Sequence, residues 1–262
     1  MKIEVSSIQF SPALGNIENN LNRISALIAR ARKDGAELVV LPEVCDIGYH
    51  LETISRLAEP FPNRSTKRLS SIAKDNGVII AAGLAEKRDD GLYNAAVVFA
   101  PDGKIVNKYY KTHLCPFPSL NEPEVFKAGA SIGVTEIEGV KLGITICYDI
   151  RFPEVYRKLA FGGAQIVVHP AAFPRERIDQ LEVCLRARAI ENQFFAVMAN
   201  NCGTIGGAEF GGRSMMVGPA GDIKAKASET EEAVITATLD LSEMDLLRKE
   251  KPVLSKKRPE LY

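Results

Sequence analysis

Apolar and polar residues alternate from the start of the chain, and over residues 3–10 they keep the two-residue period of a strand. From residue 17 the period changes. Ile17, Leu21, Ile24, Ile28 and Ala31 recur at three- to four-residue steps, which predicts a helix over 17–33 that Gly35 stops. Residues 37–41 are a short apolar run ending at Pro42-Glu43 and predict a buried strand. A helix over 65–76, stopped by Gly77, and a strand over 78–84 follow. Residues 93–99 and 105–110 predict two more strands around the turn Pro101-Asp102-Gly103.

The second half repeats the alternation. Strands are predicted over 133–137 and 140–146 around Glu138-Gly139, then a helix that Pro153 opens and Gly162-Gly163 closes. A strand over 165–169, a long helix over 177–192 and a strand over 194–200 come next. Three last strands lie near 213–217, 223–227 and 233–239, with Pro219-Ala220-Gly221-Asp222 as a tight turn. Helices interleaved with many strands predict a layered α/β architecture with helices covering sheet faces. No Gly/Ser/Pro linker, internal repeat or low-complexity stretch interrupts the 262 residues. A single domain over 1–262 is the simplest organisation, with a short helix and charged tail from about residue 242.

Composition narrows the class. Lysines and arginines number 33 and acidic residues 33, a zero net charge that argues against a general nucleic-acid binder. The run Lys256-Lys257-Arg258 reads as a solvated tail or interface element. No apolar run reaches the ~18 residues that span a bilayer, and the N-terminus enters a strand pattern without a signal-peptide region, so a cytoplasmic protein is expected. The five cysteines (Cys45, Cys115, Cys147, Cys184 and Cys202) are odd in number, widely spaced and free of CxxC pairs, which fits reduced thiols.

Three segments place a reactive side chain directly after a buried strand: Leu41-Pro42 delivers Glu43, the strand over 105–110 delivers Lys111, and Ile144-Thr145-Ile146 delivers Cys147. Strand ends are where rigid scaffold meets cleft in layered α/β folds. A cysteine near the start of the following helix gains a field that favours its thiolate, and backbone N–H groups that can hold an oxyanion. A carboxylate beside a proline and a run of aliphatics is desolvated, which raises its pKa towards the range of a general base. Each residue taken alone also has an ordinary structural explanation: a core thiol, a salt-bridged carboxylate, a solvated lysine.

Taken together, Leu41-Pro42-Glu43, Lys111-Thr112-His113 and Cys147-Tyr148-Asp149-Ile150-Arg151-Phe152-Pro153-Glu154 resemble, in order and spacing, the three motifs of the nitrilase superfamily of carbon–nitrogen hydrolases. Gly48-Tyr49, His169-Pro170-Ala171, the run from Arg186 to Asn192, Gly212-Arg213-Ser214 and Pro219-Ala220-Gly221 extend the resemblance over almost the whole chain. It implies a four-layer α-β-β-α sandwich, a catalytic triad of Glu43, Lys111 and Cys147, and no metal or organic cofactor. It also implies a second glutamate seven residues before a glycine; Glu122 before Gly129 fits, rather than Glu124. The loop Cys115-Pro116-Phe117-Pro118-Ser119-Leu120 departs from the family wording, which bears on substrate rather than mechanism.

The implied chemistry is hydrolysis of a small carboxamide. Glu43 takes the proton of Cys147, whose sulfur attacks the carbonyl, while Lys111 and the backbone N–H of Tyr148 receive the oxyanion. Ammonia leaves, and water activated by Glu43 frees the acid from a thioester. Lys111 is also expected to lower the thiol pKa, and Glu43 to keep Lys111 charged. The wording around Cys147 and at Lys257-Arg258-Pro259-Glu260-Leu261-Tyr262 resembles the branch acting on ω-amides of dicarboxylic acids. Tyr49 is a candidate substrate contact, and Arg175 and Arg177 are candidate cations for the free carboxylate. N-carbamoyl amidohydrolase and nitrilase activities are alternatives with the same triad. A Cys–His hydrolase using His113 or His169, a zinc site, and a non-catalytic binding protein are alternatives of other kinds. The resemblance further implies a homodimer or larger homo-oligomer, with the helices after Cys147 and before Asn192 at the interface and the tail joining it.

Overall fold

The computed structural model describes residues 1–117 and 120–261. Pro118 and Ser119 of the divergent loop, and Tyr262 of the tail, lie outside the described residues. The first half of the chain runs β1 (Lys2–Gln9), α1 (Ile17–Lys33), β2 (Leu38–Val40), α2 (Leu51–Leu57), α3 (Arg64–Asn76), β3 (Ile79–Arg88), β4 (Gly91–Phe99) and β5 (Ile105–Tyr110). A small hairpin, β6 (Pro116–Phe117) with β7 (Leu120–Asn121), leads into β8 (Val134–Ile137), β9 (Val140–Ile144), α4 (Pro153–Phe161), β10 (Ile166–Ala171) and α5 (Ile178–Asn192). The chain then forms β11 (Phe195–Asn200), a hairpin of β12 (Cys202–Ile205) and β13 (Ala208–Gly211), β14 (Met215–Val217), β15 (Ile223–Lys226), β16 (Ala233–Asp240) and α6 (Ser242–Glu250).

Two six-stranded sheets result, in the orders β16-β1-β2-β3-β4-β5 and β15-β14-β11-β10-β9-β8. Each has three parallel strands at its centre, β1-β2-β3 and β9-β10-β11, flanked by antiparallel strands. Strand β2 shows why the layers stack. Leu38 and Val40 point into the core shared with the second sheet, whereas Val39 and Leu41 meet α1 and α3. A strand buried on both faces needs apolar residues at every position. Leu21, Ile24 and Ile28 of α1 cover the outer face with Leu69 and Ile72 of α3, each such side chain contributing about 1.5–3 kcal/mol on burial. Tyr156 and Leu159 of α4 and Leu181 and Leu185 of α5 cover the second sheet in the same way. The order of layers is helix, sheet, sheet, helix.

The carboxyl ends of the two sets of parallel strands are stitched together. Phe10 and Asn201 form an isolated parallel bridge, Cys202 N–H donates to the Phe10 carbonyl at 3.1 Å, and the Asn201 side chain donates to the Glu43 carbonyl at 3.0 Å. This seam fixes where the strand-end residues meet.

Most predicted elements are present, with shifted ends. Asn16 and Asn63 cap α1 and α3, and Gly77 closes α3 in the left-handed region. Strand β9 stops at Ile144 rather than 146, because Cys147 turns the backbone to a φ of +42° and opens a 3₁₀ turn over Cys147–Arg151. Helix α2 and the β12–β13 hairpin are further elements, and the latter's Gly206-Gly207 turn is a hairpin signal. The tail folds back on its own chain: Lys257 Nζ lies 3.9 Å from the Phe161 ring centroid, and Gln193 donates to the Lys251 carbonyl at 2.8 Å.

Candidate active site

Glu43 arrives from β2 through a turn that needs a glycine opposite. A Cβ on Gly83 would meet the Glu43 Cα at 2.5 Å, so β3 passes directly against the glutamate backbone. Cys45 N–H donates to the Gly83 carbonyl at 3.0 Å and Gly83 N–H to the Pro42 carbonyl at 3.1 Å, leaving Glu43 little freedom. Its carboxylate is fully buried. Oε2 accepts the Ala172 N–H at 2.7 Å; Oε1 accepts from Asn94 Nδ2 at 2.6 Å and from Lys111 Nζ at 2.8 Å.

Lys111 leaves β5 with its N–H bonded to the Asn94 carbonyl at 2.9 Å and its carbonyl to Gly129 N–H at 2.8 Å. Gly129 passes so close that a Cβ would lie 2.2 Å from the Tyr110 oxygen. The buried ammonium also reaches Glu122, 2.9 Å from Oε1 and 2.8 Å from Oε2. Glu122 in turn accepts from Tyr49 Oη at 2.6 Å, Asn94 Nδ2 at 2.9 Å and Cys115 N–H at 2.6 Å. Glu124 is exposed and bonded to Asn121, so Glu122 is the glutamate at this centre. Burial alone would discharge Lys111, but Glu122 and Glu43 outweigh it and hold the ammonium well above its ordinary pKa. Burial raises the Glu43 pKa, with Lys111 opposing and Glu122 assisting.

Cys147 is 7% exposed and lines one cavity with Tyr49, Lys111, Tyr148, Phe173 and Arg177. Lys111 lowers the pKa of the Cys147 thiol as expected, but the net direction is upward. Burial and the neighbouring Glu43 push its pKa well above the ordinary value, and the opposing pull of Lys111 is smaller. The Cys147 thiol is therefore neutral at rest, and a neutral thiol attacks only where a base takes its proton. Tyr148 follows it in the 3₁₀ turn, its ring edge-on to Phe117 and Phe152.

The candidate arginines separate. Arg177 lines the Cys147 cavity, its guanidinium carbon 3.8 Å from the Phe117 ring centroid and its Nε 3.2 Å from Glu176. Arg175 is half exposed, 3.9 Å from Glu209, and lines an adjoining open cleft with Pro174, Ala208 and Phe210 instead. The sequence reading overlooked Arg151, which also lines the Cys147 cavity and is bonded to Gln180 at 2.7 Å. It overlooked Asn94 and the Ala172 N–H as well. Asn94 carries no motif signal; Ala172 directly follows His169-Pro170-Ala171, and that placement was a usable one.

Neither histidine sits in the charged cluster. His169 is buried, 2.8 Å from Thr145 Oγ1 and 3.0 Å from Tyr156 Oη, and burial depresses its pKa to about 3. His113 stacks on Phe152 at 3.7 Å and contacts Asp149 at 3.1 Å.

A buried carboxylate–lysine–carboxylate cluster thus lies behind the cavity that Cys147 lines. The family model described as carbon-nitrogen hydrolase matches residues 4–249. The chain is 35% identical to a 2-oxoglutaramate amidase of Bacillus subtilis (strain 168), covering 100% of both chains. It is 37% identical to a protein named nitrilase from Pyrococcus abyssi, over 91% of this chain and 90% of that one. A solved structure of a Glu-to-Gln mutant of the amidase from Nesterenkonia sp. AN1 shows covalent addition of the acetamide moiety of fluoroacetamide at the active site cysteine. It superposes with a TM-score of 0.88 at 27% identity, covering 99% of this chain and 95% of that chain. The chain belongs to the carbon–nitrogen hydrolase family. It is an enzyme of the amidase class within the nitrilase superfamily, built as the four-layer sandwich of that superfamily.

Proposed function

We propose that this enzyme hydrolyses the ω-amide of a small dicarboxylic acid, using Cys147 as nucleophile, Glu43 as general base and Lys111 as the fixed cation. The observation that carries the reading is Lys111 held at 2.8 Å from Glu43 and 2.8 Å from Glu122 in the wall of the cavity that Cys147 lines. In the reading, Glu43 takes the thiol proton as Sγ bonds to the amide carbon. The oxyanion meets Lys111 and the Tyr148 N–H; one such donor is typically worth about 3–4 kcal/mol of transition-state stabilisation. Glu43 then protonates the leaving nitrogen, the C–N bond breaks, and ammonia departs from a thioester. Water gives its proton to Glu43 and cleaves the C–S bond, restoring the thiol. Glu122 keeps Lys111 charged and aimed, and Tyr49 buttresses Glu122. Arg177 is the better-supported partner for a substrate carboxylate, because it shares the cavity and Arg175 does not.

The relative named 2-oxoglutaramate amidase supports an ω-amide substrate, and the relative named nitrilase keeps nitrile hydrolysis as a second reading. An ammonia-release screen over succinamate, simple amides, carbamoyl compounds and nitriles tests the choice. Succinamate is expected to be turned over fastest, with Cys147→Ala inactive; a preference for nitriles or carbamoyl compounds would overturn the substrate reading. The site residues sit in one catalytic domain in this reading. A homodimer is supported by the exposed Val183 and Ile190 of α5 and Phe161 of α4, and light scattering showing a stable monomer would remove it. Free thiols at all five cysteines support a reducing compartment such as the cytoplasm. No helix among the described residues is long and apolar enough to cross a membrane.

A further inference from the structure

Asp149 belongs to the cysteine motif, yet none of the steps above uses it. It is fully buried and accepts four hydrogen bonds, from two separate parts of the site, beside one further imidazole contact. Oδ2 accepts from Ile146 N–H at 2.9 Å, on the elbow immediately before Cys147, and from Tyr109 Oη at 2.7 Å, two residues before Lys111. Oδ1 accepts from Thr112 Oγ1 at 3.1 Å and His113 N–H at 3.0 Å, and lies 3.1 Å from His113 Nδ1. One carboxylate therefore grips the lysine arm on both sides of Lys111 and the cysteine elbow on its strand side. The elbow needs such a grip, because Cys147 holds a left-handed φ of +42° that an L-residue adopts at a cost.

We propose that Asp149 is a positioning residue that locks the Lys111 arm to the Cys147 elbow and so sets the reach of the ammonium to the oxyanion. This rests on the triad reading above. Bonds to an ionised acceptor are short and strong, and they hold their groups more tightly than neutral ones. Burial and the Asp149 carboxylate keep the Tyr109 hydroxyl protonated, so it remains a donor at any working pH. A displacement of ~1 Å at a reacting centre can cost about 10²-fold in rate, which is the scale on which this clamp acts.

Two reactions of the same thiol separate positioning from mere structural support. 4-Nitrophenyl acetate acylates Cys147: the S–C bond forms, Glu43 takes the thiol proton, and nitrophenolate leaves through an oxyanion that needs Lys111. Iodoacetamide alkylates the same sulfur: the S–C bond forms, the C–I bond breaks, Glu43 takes the thiol proton, and this displacement forms no oxyanion. In the full-length chain, Tyr109→Phe removes the clamp's bond to the lysine arm on the β5 side of Lys111 while keeping the elbow bond from Ile146. It is expected to slow the nitrophenolate burst about tenfold or more, with alkylation within about twofold of wild type. Thr112→Val should act in the same direction. Asp149→Asn should slow acylation about 10²-fold, and the two milder variants carry the test if that chain fails to fold. Loss of both reactions in parallel in Tyr109→Phe, or of neither, would overturn the proposal. A wild-type chain that alkylates at Cys147 but gives no burst would remove the triad reading itself, and the inference with it.

Discussion

Two polar clusters lie buried near the strand ends, one built from residues after β2, β5 and β7 and the other at β9 and β10, and the first is charged where the second is neutral. In one, Lys111 sits between Glu43 and Glu122, and the two carboxylates hold the ammonium charged against the pull of burial. In the other, the hydroxyls of Thr145 and Tyr156 are the hydrogen-bond partners of His169 among the described residues, and burial drives its pKa to about 3. Equal depth, different partners: a buried group stays ionised only where opposite charge is built beside it. A pKa near 3 makes His169 a weak proton acceptor at working pH, which argues against it as the base of a Cys–His enzyme.

The sharpest way to break this contrast is Lys111→Met. Two carboxylates would then face each other without a cation, and removing one partner of a buried ion pair costs about 3–5 kcal/mol. Turnover should fall beyond about 10³-fold, and the stability deficit in urea at pH 7 should shrink at pH 5 as a carboxylate takes up a proton. Retention of activity within tenfold of wild type, by contrast, would dissolve the cluster as a catalytic unit.

Glu43→Gln tests the base. Turnover should drop by roughly 10²–10⁴-fold, whereas a Cys–His enzyme would show a mild effect. In the wild type the base must be ionised, so kcat/KM should rise with pH through a limb lying above the ordinary carboxylate value of about 4.3, because burial raises Glu43. No fall is expected up to about pH 9, since Lys111 and Cys147 both titrate above their ordinary values. A steady-state pH profile with an alkaline limb near 7 would contradict this.

Asp46 is a third buried group, and its hydrogen-bond partners are neutral: the Ser65 hydroxyl and its neighbour's N–H. Burial raises its pKa to about 6. Below about pH 4 it is protonated in folded and unfolded chains alike; above that the unfolded chain ionises first, so stability falls as pH rises to about 6. Asp46→Asn should therefore stabilise the chain at pH 7 by up to about 3 kcal/mol, with the gain gone at pH 4. Urea titrations at the two pH values measure it. The smallest effect belongs to His169→Gln. A few-fold change in turnover, a stability loss of about 1–2 kcal/mol and an unmoved pH profile are expected from kinetics and melting together.

How much of this was legible beforehand follows the range of the interactions. Glu43 and Cys147 follow strands whose apolar runs are visible locally, so β2 and β9 pointed at them; β5, expected to be buried, is a largely exposed edge strand, and Lys111 was legible only from its motif. Glu122 was legible only through its spacing to Gly129, and the structure gives the reason: that glycine bonds the Lys111 carbonyl. Asn94 reaches the centre from β4 and had no local pattern to announce it, whereas the Ala172 N–H, just beyond β10, was signalled only by its place after His169-Pro170-Ala171. The thiol pKa rises overall despite the expected pull of Lys111, because burial and the negative charge of Glu43 are tertiary facts. Helix α2 is seven residues long, too short for a helical period to declare itself, and its N-terminus has no side-chain cap.

The lysine held between two carboxylates has one more consequence, which appears when formal charges are counted across the pocket. Two glutamates and one ammonium sum to a single negative charge beside a neutral thiol. In the proposed reaction the proton that leaves sulfur stays on Glu43, so the negative charge migrates to the oxyanion and the total is unchanged. The chemical step rearranges charge inside a closed volume and imports none, so dissolved salt has almost nothing to screen. Ionic strength should act on how a charged substrate enters past Arg177, and leave the bond-making step alone.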